Sequence, residues 1–438
     1  MRVLITGAYG FIGSHIAAHL RTQGHEIIAA GRDISYGQRR FPFYRWISCD
    51  FNRDTEINTW LPRLIDVDAV VNCVGILQGS ARDKAEAIHH TAPAALFSAC
   101  EKVGIRRIVQ ISALGAGHKA NTTYGTSKAA GDKALASCDL DWVILRPSLV
   151  YGRGTFGGTT LMRGLAGVPL VTPVPASNQL IQPIFVEDLA IVVSRMLDPV
   201  APSKIVLDTV GPKEMTAADF IKAQRRWLGF KRQPVLPIPK FLSAIVFKLG
   251  DISGLFGSRT AMRSTFLAMM DTPNTGPIET LVTASGSVPQ SVEQVFAATP
   301  AQNQDRWHAR LIFLKPLLRF TLAIFWMATG LLLLHPHTLA AAVAHIEAAS
   351  LVPSFAPMVT AKHMAIGSGV FDMLVGLLLF MGWKVRAALS LQILATLAYL
   401  AALSFALPGL WLDPLGPLTK AVPLLVFTAA LMAMQDER

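Results

Sequence analysis

The first thirteen residues limit how the beginning of the chain can fold more than any other feature does. Residues 3–5 form the apolar run Val-Leu-Ile, which is typical of a buried parallel strand. Thr6 follows this run and leads into Gly7, Gly10 and Gly13. Glycines at this spacing let backbone N–H groups at the start of a helix approach a pyrophosphate. We therefore expect a strand, a tight turn and a helix that together bind a dinucleotide.

Apolar runs and helical stretches alternate over residues 1–150. The predicted strands are Glu26–Ala30, Ala69–Cys73, Arg107–Ile111 and Trp142–Leu145, and the predicted helices include Ser14–Gln23 and Pro93–Val103. This order predicts an α/β, Rossmann-type, doubly wound parallel sheet with helices on both faces. Glycine and proline become frequent after residue 150, which indicates a small substrate lobe.

The last part of the chain contains four apolar segments, each close to the length that crosses the hydrocarbon of a bilayer. They are Leu317–Leu334, Met364–Met381, Ala387–Leu407 and Leu418–Met434. A hydrophobic content of 52% agrees with such segments. We expect these segments to form an all-α four-helix transmembrane bundle.

These patterns predict three parts. Residues 1–230 are the dinucleotide-binding domain with its substrate lobe, residues 231–304 are a connector, and residues 305–438 are the membrane bundle. Within the connector, Phe241–Met270 mixes apolar and basic residues. That composition suits helices on a membrane surface, or equally ordinary helices of the lobe.

Basic residues group beside the membrane segments. The net charge is +11, and many cations occur at Arg225, Arg226, Lys231, Arg232, Arg306, Arg310, Lys315 and Arg319. Lys384 and Arg386 separate the second and third segments. Loops of this kind stay on the cytoplasmic side of a membrane. We expect a multi-pass protein with both termini in the cytoplasm, in contact with membrane lipid and not with nucleic acid.

The end of the second predicted strand indicates which dinucleotide binds. An acidic residue about twenty positions past the glycines would bond the ribose diol of NAD, and Gly31 holds that place here. The neighbouring Arg32 can pair with a 2′-phosphate, which favours NADP(H). Asp33 keeps NAD(H) possible. Asp50, at the end of the next predicted strand, is a candidate for binding the adenine amino group or for capping a helix.

Tyr124 and Lys128 are the candidate catalytic pair. Their spacing of four places both side chains on one face of a helix, where an ammonium group can lower the pKa of a phenol. Tyr124 could then exchange a proton with a carbonyl or an alcohol. Ser112 follows the predicted strand Arg107–Ile111 and offers a hydroxyl for the substrate oxygen.

Together these residues resemble the extended or atypical short-chain dehydrogenase/reductase superfamily, which is NAD(P)-dependent epimerase/dehydratase-like, over residues 1–210. The resemblance rests on the opening glycines, residues 72–75, Ser112, Tyr124 with Lys128, and residues 146–152 and 185–188. It implies that Tyr124 is the acid/base, that Lys128 also bonds the nicotinamide ribose, and that Ser112 polarises the substrate. The predicted cofactor-binding residues are Thr6, Gly7, Gly10, Phe11, Ile12, Gly13, Arg32, Asp50, Asn72, Val74, Gly75, Tyr124, Lys128 and Pro147.

The chain departs from this superfamily at two places. His89 stands where many members have an asparagine. Only Ala113 and Leu114 follow Ser112, where the family usually has a run of serines. This segment is similar to the branch of the NADPH-binding accessory subunit of respiratory complex I, in which the pocket holds nucleotide without known turnover.

The region from residue 305 onward is similar to DoxX-like four-helix membrane domains. Its marks are Asp305 with Arg306 and Arg310, Gln392 with Tyr399, and the sequence from Pro408 to Lys420. The resemblance implies a bacterial inner-membrane protein. Asp372 and Lys420 are candidates for a polar site inside the bundle. The irregularly spaced His335, His337, His345 and His363, like the four cysteines, predict no metal site.

Three functions remain open from the sequence. In the first, the protein is a membrane-anchored oxidoreductase or epimerase that uses NADPH on a lipid-like or quinone-related carbonyl compound. In the second, it is a non-catalytic NADPH-binding structural or redox-sensing partner of a membrane complex. In the third alternative, the bundle handles quinone or transport and the nucleotide domain regulates it.

Overall fold

The computed structural model describes residues 1–77, 79, 83–116, 122–255, 264–269, 272–348, 359–414 and 416–435. The chain divides into two compact units. The first comprises the described residues of Met1–Leu255 and Arg259–Arg310, and the described part of the second begins at Leu311. The predicted boundaries at residues 230 and 304 stay a prediction.

The described residues of the first unit form thirteen strands. They are β1 Arg2–Thr6, β2 Glu26–Gly31, β3 Arg45–Ser48, β4 Ala69–Asn72, β5 Arg107–Ile111, β6 Asp141–Pro147, β7 Val150–Tyr151, β8 Thr172–Pro175, β9 Leu180–Ile181, β10 Ile184–Phe185, β11 Ile205–Thr209, β12 Met215–Thr216 and β13 Val235–Ile238.

The helices of the first unit are α1 Phe11–Thr22, α2 Ile34–Arg40, α3 Ile57–Trp60, α4 Ala92–Val103, α5 Thr123–Ala136, α6 Gly158–Gly167, α7 Val186–Met196, α8 Ala217–Trp227, α9 Lys240–Leu255, α10 Ser264–Met269, α11 Glu279–Ser285 and α12 Val292–Ala298. A π-helix spans Ala87–Thr91, directly before α4. Within the predicted stretch Phe241–Met270, residues 256–263 and 270 lie outside the described residues.

Seven parallel strands form the main sheet, in the order β11-β6-β5-β4-β1-β2-β3. The order reverses between β1 and β4, and ligands of doubly wound sheets bind at such a point, beyond the carboxyl ends of the strands. Thr6 at the end of β1 lies beside Asn72 at the end of β4. The predicted α/β, doubly wound parallel sheet is therefore confirmed.

Both faces of this sheet are buried. Val3 and Ile5 of β1 pack into a core that includes Ile16 of α1 and Val193 of α7. Leu4, between them, points to the opposite core. That second core contains the apolar residues of α4, including Leu96, Phe97 and Cys100. Strands covered on both faces need continuous apolar sequence, which explains the unbroken runs in the central strands.

The second unit is helical. It contains the part of α13 (Asn303–Leu334) that follows Arg310, then α14 Pro336–Ala348, α15 Ala361–Met381, α16 Val385–Ala406 and α17 Ala421–Ala433. Helices α13 and α15 approach closely at glycines, since a Cβ on Gly330 would lie 2.5 Å from the Gly369 carbonyl oxygen. Small residues at helix contacts are typical of membrane bundles.

Within the described residues, three helices are long and apolar enough to cross a membrane: α13, α15 and α16. The predicted fourth span forms α17, which has 13 residues and reaches only about 20 Å against about 30 Å of hydrocarbon. The first three residues of the predicted span, 418–420, form a turn, and the helix begins at Ala421. Helix α14 lies between the first and second predicted membrane segments, where no helix was predicted. Asp372 is buried while Lys420 is exposed, so only one of the predicted pair is a buried polar group.

Candidate functional site

The turn after β1 leaves the start of α1 open to a ligand. Gly7 adopts a φ of +67°, and its carbonyl oxygen accepts a hydrogen bond of 2.8 Å from the Gly10 N–H. A Cβ on Gly13 would lie 2.4 Å from that same oxygen. No side chain caps the helix at Gly10. The geometry fits the pyrophosphate of a dinucleotide, because unobstructed N–H groups at a helix start bind anions.

Two of the predicted cofactor-binding residues hold strand ends together. The Thr6 hydroxyl donates to the Asn72 side-chain oxygen at 2.5 Å, and the Asn72 amide donates to Gln110 at 2.7 Å. All three side chains are buried. The same Asn72 oxygen accepts a bond from the Val74 N–H at 3.3 Å. This network aligns the carboxyl ends of β1, β4 and β5, which form the edge of the sheet where a ligand would bind.

Arg32, the predicted 2′-phosphate ligand, makes an ion pair in this structure. Its guanidinium lies 2.5 Å from a carboxylate oxygen of Asp83, which also accepts a bond of 3.2 Å from Asn52. The Arg32 side chain is still 41% exposed. Asp50 accepts a bond from the Asn52 N–H at 3.1 Å, which is a local turn contact.

Tyr9 explains why the chain has Gly31 where an acidic residue was expected. A Cβ on Gly31 would lie 2.3 Å from the Tyr9 ring. The Tyr9 hydroxyl accepts bonds from the N–H groups of Arg32 at 3.0 Å and Asp33 at 3.3 Å. The ring also stacks on Trp46. Sequence reasoning missed Tyr9, since nothing in its spacing shows that it turns back over β2.

Lys128 is buried at the carboxyl ends of β4 and β5. Its Nζ donates to the carbonyl oxygens of Ile111 at 3.0 Å and Val74 at 3.3 Å. Burial lowers its pKa to about 8, although Asp132 partly opposes this change. A Cβ on Gly75 would lie 3.0 Å from Nζ. The glycine therefore leaves room for the ammonium group.

Tyr124 lies in the first turn of α5, on the same face as Lys128. Burial, assisted by the charge of Asp132, raises its pKa to about 12. The expectation that Lys128 lowers the pKa of this phenol is therefore wrong for this structure, because burial raises the pKa instead. Tyr124 is a neutral phenol, and so a proton donor, throughout the physiological range.

His89 belongs to the π-helix and packs edge-on against the Tyr124 ring, with 5.5 Å between ring centroids. Its Nε2 accepts a bond of 3.0 Å from the Ile76 N–H. Its Nδ1 lies 2.8 Å from the Ser127 hydroxyl, which donates to the Tyr124 carbonyl oxygen. Burial, and then the charge of Lys128, lowers the pKa of His89 to about 2. His89 is therefore a neutral imidazole with its proton on Nδ1.

Ser112 points its hydroxyl at a buried carboxylate. The hydroxyl donates to Asp132 at 2.9 Å, and Arg146 donates to the same oxygen through two nitrogens, each at 3.1 Å. A hydroxyl has one hydrogen. While Ser112 donates it to Asp132, the Ser112 oxygen can only accept a hydrogen bond from a substrate. Sequence reasoning missed Asp132, whose position one turn beyond Lys128 on α5 was the available signal.

A cavity of about 310 Å³ joins the glycine turn to the Tyr124 side. From the predicted set it brings together Gly10, Phe11, Ile12, Gly13, Gly75, Ser112, Tyr124, Lys128 and Pro147. Thr6, Gly7, Arg32, Asp50, Asn72 and Val74 are not among its described lining residues. Away from the turn the wall is mostly apolar and includes Leu149, Phe156, Met162 and Met269. Among the described lining residues, Lys128 is the one charged side chain.

Comparison with known proteins agrees with this geometry. Residues 3–206 match the model of the NAD dependent epimerase/dehydratase family, and residues 323–429 match that of the DoxX-like family. The chain is 25% identical over 249 residues to the ceramide reductase of Caulobacter vibrioides, a match covering 55% of this chain and 75% of that protein.

Two further similarities concern a eukaryotic subunit and a solved structure. The mouse mitochondrial NADH dehydrogenase (ubiquinone) 1 alpha subcomplex subunit 9 is 25% identical over 268 residues, covering 57% of this chain and 67% of that subunit. The UDP-glucuronic acid 4-epimerase of Bacillus cereus in complex with NAD has a TM-score of 0.52 at 16% identity, covering 72% of this chain and 100% of that one. The structural likeness shows the fold alone.

The chain also matches an uncharacterized protein of Mycobacterium tuberculosis at 26% identity, but it spans only 24% of that protein's length. The predicted resemblances are confirmed in both parts of the chain. Residues 3–206 form a domain of the NAD dependent epimerase/dehydratase family, and a DoxX-like membrane domain follows it in the same chain.

Proposed function

We propose that the protein is a membrane-anchored, NADPH-dependent reductase of a lipid-like or quinone-related carbonyl compound. The observation that carries this proposal is the cavity beside Tyr124, whose described lining has an apolar outer part and no charge other than Lys128. A nucleotide sugar would bring a diphosphate, which needs several cationic or N–H partners. An apolar chain needs none, and the membrane domain would hold the cavity where such molecules concentrate.

The state of Tyr124 favours reduction over oxidation. When bound, the nicotinamide supplies hydride, and a carbonyl oxygen that receives hydride must also receive a proton. Tyr124 can donate that proton because burial keeps its phenol neutral, with a pKa of about 12. Epimerisation would begin with removal of a proton from an alcohol and would need the phenolate first.

The neighbouring side chains assist Tyr124 in this proposal. Two N–H groups of the Lys128 ammonium donate to the carbonyl oxygens of Ile111 and Val74. The third N–H group is left for the nicotinamide ribose. His89 holds the ring of Tyr124 from the side and cannot donate from Nε2, which accepts the Ile76 N–H. Ser112 can accept a hydrogen bond but not polarise a carbonyl while it donates to Asp132.

The test of this proposal compares substrate classes. The full chain, purified in mild detergent, is supplied either with NADPH and long-chain ketones in mixed micelles, or with NAD⁺ and UDP-glucuronic acid. We expect NADPH to be consumed with long-chain ketones only, in proportion to the alcohol formed. Conversion of the nucleotide sugar at a comparable rate would contradict the proposal.

A second candidate, a non-catalytic NADPH-binding partner of a membrane complex, is favoured by one observation. Ser112 donates its hydrogen to Asp132, and the next two residues, Ala113 and Leu114, have no hydroxyl. The similar mouse protein is named as a subunit of NADH dehydrogenase. In this case NADPH copurifies with the protein, but no carbonyl compound of the panel is reduced.

Replacing Arg32 tests the preference for NADPH. We expect Arg32→Ala to weaken NADPH binding by about 10- to 100-fold, because an arginine bonded to a phosphate contributes about 1.5–3 kcal/mol. NADH binding should change little. The measurement is a titration of each nucleotide against the full chain in detergent.

The matched control for this titration is Arg39→Ala. Arg39 is an exposed arginine of α2 without an ion pair to any described residue. Equal loss of NADPH and NADH binding in Arg32→Ala would show that Arg32 supports the fold through Asp83 and does not bind the 2′-phosphate.

A further inference from the structure

A second cavity in the first unit, of about 270 Å³, is strongly cationic. We call it the cationic pocket and define it by Lys222, Arg225 and Arg226 of α8, and by Phe230 and Arg232 in the loop that follows. It shares no described lining residue with the cavity that contains Tyr124.

Backbone contacts hold one wall of the cationic pocket in place. The Arg225 guanidinium donates to the carbonyl oxygens of Lys231 and Ala166, both at 2.7 Å, and of Val168 at 3.0 Å. Phe230 lies under this guanidinium, 5.5 Å from its carbon to the ring centroid. An arginine held by neutral carbonyls keeps its full charge. The wall of the pocket that Arg225 forms is therefore fixed by the backbone.

Nearby carboxylates offset only part of this charge. The pKa of Asp219 is lowered by hydrogen bonds from Thr216 and Lys222 and by the charges of Lys222 and Arg226. Lys222 pairs with Asp219 at 3.0 Å, but no described carboxylate lies within 4.0 Å of the Arg225, Arg226 or Arg232 guanidinium groups. Arg310 adds a further cation over the Phe230 ring, at 5.0 Å. Several arginines that make no ion pair with a described carboxylate surround one cavity, and guanidinium groups match the oxygens of phosphate.

The chain that leaves the cationic pocket presents an unusual apolar surface. Leu236 of β13 and Phe241, Leu242, Ile245 and Val246 of α9 are between 44% and 65% exposed. Ser243 and Phe247, on the other face of α9, are buried. An apolar helix face that follows a cationic loop within a few residues of the chain is typical of segments that lie in the interface of a bilayer. Contiguous apolar surface exposed to water is uncommon in soluble proteins and often marks a membrane or partner contact.

We propose that the cationic pocket binds the phosphate of an anionic phospholipid headgroup, with the acyl chains beside the exposed face of α9. The positive charge selects an anion, the size of the cavity suits one headgroup, and the adjoining apolar residues suit its chains. The DoxX-like domain of the same chain supplies the membrane. This assignment is independent of the reaction proposed above.

The test measures lipid selectivity of the full chain by native mass spectrometry in detergent. Phosphatidylglycerol, phosphatidylcholine and, as soluble anions, inorganic phosphate and ADP are added in turn. The variant Arg226→Gln with Arg232→Gln removes two cations that make no described ion pair and leaves Arg225 to support the backbone. The control Lys102→Gln with Lys213→Gln removes the same charge from exposed positions elsewhere.

We expect the wild type and the control to retain phosphatidylglycerol over phosphatidylcholine, and the pocket variant to lose this preference by about tenfold, since each surface cation contributes measurably to binding of anionic lipid. An unchanged preference in the pocket variant would overturn the proposal. Tighter binding of phosphate or ADP than of phosphatidylglycerol, lost in the same variant, would also overturn it and assign the pocket to a soluble anion.

Discussion

The variant Tyr124→Phe is expected to lose turnover by about 100- to 10,000-fold, the usual contribution of a general acid. The hydroxyl that would protonate the carbonyl oxygen is removed, while the ring that packs against His89 stays. NADPH binding should remain within a few fold of the wild type, because the glycine turn is untouched. Turnover is measured as NADPH consumption with a long-chain ketone, and binding by titration.

The matched control is Tyr44→Phe, which removes a hydroxyl from a half-buried tyrosine that stacks on Phe41 and does not line the cavity. Wild-type turnover in Tyr124→Phe would show that another group donates the proton. Loss of nucleotide binding together with turnover would show a structural role instead.

The pH profile of kcat/KM gives an independent readout of the same proposal. Lys128 is protonated below its pKa of about 8 and loses its charge above it, whereas Tyr124, with a pKa of about 12, keeps its proton over this range. For reduction we expect a level profile up to about pH 8 and a fall above it. A rate that instead rises from neutral to alkaline pH would indicate a phenolate, and so an oxidation.

The variant Gly13→Ala is expected to weaken NADPH binding by about 100-fold and to destabilise the first unit by about 1–3 kcal/mol, the usual cost of an overpacked methyl group. Its Cβ would lie 2.4 Å from the Gly7 carbonyl oxygen and 3.0 Å from the carbonyl carbon. Both are backbone atoms that cannot move aside without opening the turn. Titration with NADPH and thermal unfolding in detergent measure the two effects.

Gly115→Ala is the control for this variant. Gly115 lines the same cavity, but an added Cβ would meet nothing within 4 Å. It should bind NADPH and unfold like the wild type. If Gly13→Ala also behaved like the wild type, the close approach of α1 to the glycine turn would not matter for binding.

The arrangement of the fold could be predicted from local pattern. The glycine spacing, the apolar strands and the four-residue interval from Tyr124 to Lys128 are properties of short segments, and strands buried on both faces leave an unbroken apolar run. The membrane helices are visible for the same reason, although length alone did not show that residues 418–420 of the fourth predicted span form a turn. Helix α17 therefore begins only at Ala421.

The chemistry of the site depended on partners that are distant in the chain. The Ser112 hydroxyl donates to Asp132, which also binds Arg146, and Tyr9 packs against Gly31. Sequence analysis identified Ser112 and Gly31 but missed Asp132 and Tyr9, and it did not show which residues pair. Such pairs form only when the strands and helices pack.

The amino-acid order by itself determined the parallel sheet, the glycine turn, the Tyr124 and Lys128 pair and the apolar membrane segments, because each follows from spacing along a few residues. Only the tertiary structure decided the protonation states and the hydrogen-bond partners. Burial raises the pKa of Tyr124 and lowers that of Lys128, and burial is a property of the packed molecule. If the same two ionisable side chains were exposed to water, their pKa values would lie near the ordinary ones.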